Sequence, residues 1–330
     1  MPAYNAKETI IRALNSITSQ TLRENIEVIV INDGSIDGTA EVVNEFFIEK
    51  ALNWKLISQI NSGEAQARNT GLDICNGKYI LFLDADDFLY PRALELLVKN
   101  AEESQSELVF SSYRKMFSKN KYKDYKIKKL SYKSSRLIEK FFQRQITIGI
   151  GNTLISGDLV RKKNIRFMSY KAGTDNHFFR NFLRYVNTGF SVPEVLFCYH
   201  VNNDSIMRAI YSTSRIDSIL SVLDTRQKFI EDRASNKVIA SLDVFLVNEI
   251  RGNATDYLLS KPHFFSKNHW IFIKENIFIY MPKKVNRKVF IGSERSAWLL
   301  FNFAFYNFPR MILYTHLVII KLRIKFENFI

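Results

Sequence analysis

Cysteine, proline and glycine are all sparse in this chain, at 2, 6 and 12 of 330 residues. Two cysteines, Cys75 and Cys198, are too few and too far apart to staple a small extracellular scaffold. Each lies beside an apolar run, which predicts reduced, structural thiols in a reducing compartment. The low proline and glycine content excludes a collagenous or low-complexity chain. Met1 runs directly into Pro2-Ala3-Tyr4-Asn5, without the basic and apolar regions of a secretory leader. A long uninterrupted apolar run is lacking too. Ala297–Ile320 is nearly apolar, but Pro309-Arg310 divide it into uncharged runs of 13 and 10 residues. A bilayer-crossing helix takes about 20.

What is present is globular: 46% hydrophobic and 24% charged residues, enough for one large domain or two smaller ones. Charge is unevenly placed. Residues 1–110 carry 9 Lys/Arg against 17 Asp/Glu, and residues 111–330 carry 38 against 16. An acidic front half and a basic back half imply two jobs. The basic half suits nucleic acid, an anionic membrane face or a phosphorylated substrate.

Residues 6–20 place Ile10, Ile11, Leu14 and Ile17 at helical spacing. The β-branched run 26–31 stops at Asn32-Asp33-Gly34-Ser35, which predicts a buried parallel strand and a loop. A helix opening at Asp37-Gly38-Thr39, a strand at 55–58, a helix from about Gly63 to Asn76 and a strand at 79–83 follow. This alternation predicts a doubly wound α/β sheet, whose ligands bind beyond the carboxyl ends of the strands. Pro2-Ala3-Tyr4-Asn5 reads as a strand-end loop with almost no strand before it. The expectation is a start further upstream, or a mere stub of the first strand, or else a rearranged sheet. Residues 111–145, rich in Lys and Tyr, predict an exposed loop or hairpin and then a helix near Ser135–Arg144. They contain no recognisable nucleic-acid motif, so no nucleic-acid partner is expected. Residues 213–260 read as helices.

Carboxylates crowded at a strand end, as in Asp84-Ala85-Asp86-Asp87, repel one another unless a hard cation takes their charge. Mg²⁺ or Mn²⁺ held by one or two carboxylates and by phosphate oxygens would fit. A solvated acidic turn is the plainer alternative.

Pro2–Asn5, Val30–Thr39, Ala67-Arg68-Asn69-Thr70-Gly71 and Phe82–Asp87, in that order and spacing, resemble the motifs of glycosyltransferase family 2. The resemblance implies an inverting enzyme of the GT-A fold, of the type that assembles bacterial polysaccharides. It implies that Pro2, Ala3, Tyr4 and Asn5 line the nucleotide pocket and that Asp33 accepts a hydrogen bond from the base. It puts Arg68 near the diphosphate, Asp84 and Ala85 on the donor, and Asp86 on Mn²⁺ or Mg²⁺. Packing for Tyr4 and a helix-surface charge for Arg68 remain open. Gly173-Thr174-Asp175-Asn176-His177-Phe178 resembles the family's segment with the catalytic base, which would be Asp175. Thr174 stands where the family commonly has Glu. Asp175 could also cap a helix. His200 could serve the metal or the diphosphate, or be structural.

The implied reaction moves a hexosyl or N-acetylhexosaminyl group from a nucleotide-sugar, with UDP favoured by family habit, to a hydroxyl of a glycan or lipid-linked acceptor. The implied layout is a GT-A domain over 1–206, with a donor half 1–110 and an acceptor half 111–206, and a helical, basic and aromatic region over 207–330. Apolar aromatics beside Lys321, Arg323 and Lys325 predict peripheral attachment to the anionic inner face of the cytoplasmic membrane. Packing on the domain or in a homodimer are alternatives. The rival functional readings are a membrane-surface scaffold with a decayed transferase domain and a nucleotidyltransferase.

Overall fold

The β-branched run forms β2 (Glu27–Asn32), which buries Val28, Val30 and Ile31. The computed structural model describes residues 1–22, 25–48, 53–118, 120–170, 173–201, 216–259, 271, 273–274 and 277–280. β1 (Pro2–Ala3) and β3 (Asn53–Ser58) pair with β2 in parallel, one on each edge. The apolar spacing read over 6–20 becomes α1 (Lys7–Thr18), with Ile10, Ala13 and Leu14 inside. The next connection is α2 (Thr39–Ile48), whose Phe47 stacks on Trp54 of β3 at 4.7 Å. α3 (Glu64–Ile74) starts at Gly63, whose φ of +87° suits a residue without Cβ.

A second, seven-stranded sheet is mixed. β4 (Tyr79–Leu81), β9 (Thr153–Ser156), β6 (Leu108–Ser118), β10 (Thr188–His200) and β5 (Phe88–Leu89) lie in that order. β7 (Lys121–Tyr125) pairs with β6, and β8 (Leu130–Lys133) pairs with β10. The helices of this part are α4 (Ala93–Ser104), α5 (Ser134–Phe142), α6 (Gly157–Lys162) and α7 (Thr174–Leu183). The hairpin expected within 111–145 is therefore β6–β7, and the helix after it is α5.

The α/β alternation holds, but the strands make two sheets rather than one. β1 is the two-residue stub, so among the described residues no ladder joins β2 to β4. In that place lies an apolar cavity of about 540 Å³, lined among others by Met1, Ile29, Ile31, Leu72, Tyr79 and Leu81. The Met1 ammonium donates to the Ile29 carbonyl at 2.8 Å, and burial lowers its pKa to about 5. Both cysteines are free thiols, with Cys198 buried in β10.

All these elements fall within one compact unit, made of Met1–Phe141, Ile146–Ser169 and Thr174–Ser205, apart from the last residue of α5. The described core of the second unit is α8 (Ile216–Glu231) and α9 (Asn236–Leu259), with Phe142 packed edge-on to Phe229 and Phe245. Arg226 of α8 donates to Asp243 of α9 at 2.6 Å. Leu242, Phe245 and Leu246 are buried, whereas Leu220 is exposed. The apolar segment 297–320 lies outside the described residues. Among the described residues no helix is long and apolar enough to cross a membrane.

Three aromatic rings fix the end of the first unit that matters below. Phe178 of α7 stacks on Phe167 at 4.1 Å, and Phe82, just after β4, meets both rings edge-on at 5.1–5.3 Å. Phe178 is fully buried. Phe178→Ala is expected to cost about 3–5 kcal/mol in urea unfolding, through lost burial and the cavity left behind.

Candidate active site

Arg68 sits on α3 and faces inward, its side chain fully buried. An unpaired guanidinium there would be prohibitively expensive, and it is not unpaired. Nη1 donates to Asp175 Oδ1 at 2.8 Å and Nη2 to Asp84 Oδ1 at 2.8 Å. Nη2 also donates to Glu64 Oε1, one helical turn back on α3. The face of the guanidinium lies 5.2 Å from the Phe167 ring centroid. Asn69, the next residue, exchanges two hydrogen bonds with the Phe167 backbone, at 2.8 and 2.9 Å. One arginine thus joins the loop after β4, the first turn of α7 and its own helix.

This corrects the reading of Arg68 as a possible surface charge. It also refines Asp175, which is the second residue of α7 rather than its cap. Burial raises the Asp175 pKa, Arg68 opposes the shift and Asp84 adds to it.

The acidic loop is closed by the Asp87 amide donating to the Asp84 carbonyl at 3.2 Å. Arg12 of α1 donates to the Asp86 carbonyl. Asp86 is raised by burial and then by Asp84. Asp87 is buried, accepts the His200 amide at 2.7 Å, and is pushed up to about 9 by burial and by Asp84. His200, the last residue of β10, is tied to the acidic loop in this way. Ala85 is buried with Ala3 in the core under β2.

The remaining predicted donor residues line the carboxyl end of β1 and β2. Pro2 and Ala3 are β1 itself, and the Ala3 carbonyl accepts the Asp33 amide at 2.8 Å. Asn5, at a φ of +47°, bonds Ser35 and Ile36 across the turn at 3.0 Å each. The Tyr4 ring is open to solvent. Asp33 is buried, and its carboxylate accepts from Gln59 Nε2 at 2.7 Å and from the Ser62 and Gly63 amides at 2.9 and 2.8 Å. It therefore holds the turn from which α3 starts.

Sequence reasoning missed Glu64, Phe167, Arg12 and Asp87. Glu64 had a signal: a carboxylate four residues before an arginine on one helix shares its face. Asp87 stood in the acidic run itself, but nothing there tied it to β10; Phe167 and Arg12 had no signal, because only folding brings them near the loop.

The donor set suits a hard cation. Asp84 and Asp86 are oxygen donors separated by one residue on one turn, and burial together with the charge of Asp84 makes Asp86 reluctant to ionise. Among the described residues no three His, Cys, Asp or Glu converge into a closed metal cage. An open set of this kind fits Mg²⁺ or Mn²⁺ that shares its shell with phosphate oxygens.

Glu64 supplies a pH test. The protein packed around it, with Asp84 and Asp175, raises its pKa to about 7 against the pull of Arg68. The folded state thus binds this proton more tightly than the unfolded chain. That contribution is complete below about pH 4.5 and is lost as pH rises through about 7. Glu64→Gln, which still accepts from Arg68 but cannot ionise, is expected to gain stability relative to wild type from about pH 5 to about pH 8. The gain is up to about 1 kcal/mol after solvent screening at this half-open position. Urea unfolding at both pH values measures it, and an unchanged difference would count against the raised pKa.

Residues 1–165 match the model of glycosyl transferase family 2. The glycosyltransferase GlyA of Streptococcus pneumoniae serotype 4 is 38% identical over 113 residues, covering 34% of this chain and 16% of GlyA. An uncharacterized glycosyltransferase of Rickettsia bellii is 38% identical over 122 residues, covering 37% of this chain and 17% of that protein. The match therefore spans about a sixth of these two relatives. EpsH of Bacillus subtilis is 26% identical over 261 residues, covering 74% of this chain and 72% of EpsH. Among solved structures, S. aureus TarS 1-349 in complex with UDP-GlcNAc superposes with a TM-score of 0.71 at 18% identity, over 96% of this chain and 89% of TarS 1-349. The mannosyltransferase PcManGT of Pyrobaculum calidifontis, in complex with GDP-Man and Mn²⁺, gives 0.54 at 17% identity, over 93% and 86%. These likenesses show a shared fold, the GT-A architecture read from the sequence. With half its length matched by the family model and that fold built around the acidic loop, the chain belongs to glycosyl transferase family 2.

Proposed function

We propose that the chain is a metal-dependent inverting glycosyltransferase. It moves a sugar from a nucleotide-sugar, a UDP-sugar being favoured, to a hydroxyl of a glycan or lipid-linked acceptor. The observation that carries this reading is the buried Arg68 shared by Asp84 and Asp175, a donor-side and an acceptor-side carboxylate held by one cation. Support for the donor class comes from the solved relatives, whose complexes hold UDP-GlcNAc, UDP, or GDP-Man with Mn²⁺.

Asp175 takes the proton of the acceptor hydroxyl as the acceptor oxygen bonds to the anomeric carbon. The bond from that carbon to the diphosphate breaks, and its electron pair leaves with the nucleotide diphosphate. The Asp175 pKa, raised by burial, strengthens it as a base, while Arg68 opposes that shift and holds the carboxylate in place. Asp86 and His200 would hold Mn²⁺ or Mg²⁺, which when bound offsets the charge of the departing diphosphate. Pro2, Ala3, Tyr4, Asn5, Asp33 and Ala85 would line the nucleotide pocket. A lipid-linked acceptor would put the work at the inner face of the cytoplasmic membrane.

Two measurements test the reading. In a thermal-shift panel of UDP, GDP, dTDP and CDP with Mn²⁺ or EDTA, one nucleotide should stabilise the protein only with metal. The gain should be about 2.7 kcal/mol at a hundredfold excess over its Kd. Asp86→Ala should abolish that gain. Asp175→Asn should keep it and lose about 10²–10⁴ in turnover. No shift with any nucleotide, together with no transfer, would sink the proposal.

A further inference from the structure

At its far end the larger sheet narrows to two strands. β6 pairs with β10 as far as Met116, opposite His200, whereas its pairing with β7 runs on to Ser118 opposite Lys121. The ribbon that projects there exposes Phe117, Lys121, Tyr122 and Lys123. Tyr122 pairs with Met116, and Phe117 falls in the register shift between Met116 and Ser118, so both rings stand at the tip, 39% and 53% exposed for Phe117 and Tyr122.

Among the described residues, the lysine charge on this ribbon has no carboxylate counterpart. Lys115 and Lys123 stand directly across from each other in the antiparallel register. Like charges so placed weaken a ladder unless something neutralises them. The ribbon's one carboxylate, Asp124, is taken by Arg114 in two hydrogen bonds of 2.7 and 3.1 Å. Among the described residues no carboxylate pairs with Lys115, Lys121 or Lys123. Instead, the Lys115 ammonium lies 5.4 Å from the Tyr199 ring and 5.6 Å from Phe117, and Lys123 lies 5.2 Å from Tyr125. Such contacts hold an ammonium in place without cancelling its charge.

We propose that the β6–β7 ribbon docks on an anionic lipid bilayer. A soluble polyanion such as polyphosphate would be satisfied by the lysines and has no apolar part for two exposed rings at a protruding tip. A bilayer interface takes both, with the rings at the level of the headgroups and the ammonium groups on anionic lipid. The ribbon springs from the same strand ends as the acidic loop, since His200 of β10 donates to Asp87. On the transferase reading, docking here brings the acidic loop toward an acceptor anchored in the bilayer. The docking itself depends on charge and apolar surface alone.

The test is sedimentation of the full chain with phosphatidylcholine vesicles, with and without phosphatidylglycerol, at low and high salt. Wild type should bind the anionic vesicles and release in salt. The K115Q/K121Q/K123Q variant should lose about tenfold or more in partitioning. F117S/Y122S should also bind more weakly, and unchanged melting curves would show both variants folded. Three results would each overturn the proposal: no binding by wild type, both variants binding like wild type, or soluble polyphosphate binding that the F117S/Y122S change leaves intact while vesicles are ignored. The assay uses neither donor nor turnover, so its outcome is separate from that of the transferase reading.

Discussion

One buried guanidinium sets the terms for this end of the molecule. Arg68 has lost contact with water, so carboxylates must come to it, and they come from three places in the chain. Asp84 brings the loop after β4, Asp175 brings α7, and Glu64 comes from its own helix. Breaking such a set by removing one partner leaves a buried charge uncompensated, which is far costlier than never having built it. Lysine would not reproduce the arrangement, because its three donors radiate from one nitrogen, whereas Arg68 reaches Asp175 and Asp84 from two nitrogens of a planar fork. The arrangement carries three acids for one base, and burial together with that surplus makes Glu64 and Asp175 hard to ionise.

The aromatic wedge does the mechanical part. Phe82, Phe167 and Phe178 belong to the strand end, the segment before α7 and α7 itself, and their rings interlock. Asn69 ties α3 to the middle ring through its backbone. The carboxylates thus stand on rigid elements whose spacing is set by ring packing, and Arg68 lies against the same cluster. Packing and charge reinforce one another: the rings exclude water from the guanidinium, and the ion pairs hold the elements that bear the rings.

The split of charge along the chain also acquires a spatial meaning. Asp33, Asp84, Asp86 and Asp87 stand at strand ends, where a cation would answer the acidic loop. Basic residues of the next thirty decorate a ribbon that grows from the same sheet and ends in exposed rings. The two surfaces are joined through β10, whose last residue is fastened to the acidic loop.

Local order was legible because it is written locally. Period-2 and period-3.6 patterns identify β2, α1 and α2, and the acidic run after residue 83 identifies the loop whatever surrounds it. The family motifs, being short and contiguous, named Asp84, Asp86, Arg68 and Asp175 before any coordinates. What folding alone decided was direction and company. That Arg68 points inward follows from the packing of α3 against β1 and β2, and its partners Asp84 and Asp175 lie 16 and 107 residues away. That Asp33 holds a turn, that Asp87 holds β10, and that the strands form two sheets beside an apolar cavity depend on contacts between segments no pattern relates. Periodicity fixes which face of an element is apolar. Which element it meets is decided by the packing of the whole chain.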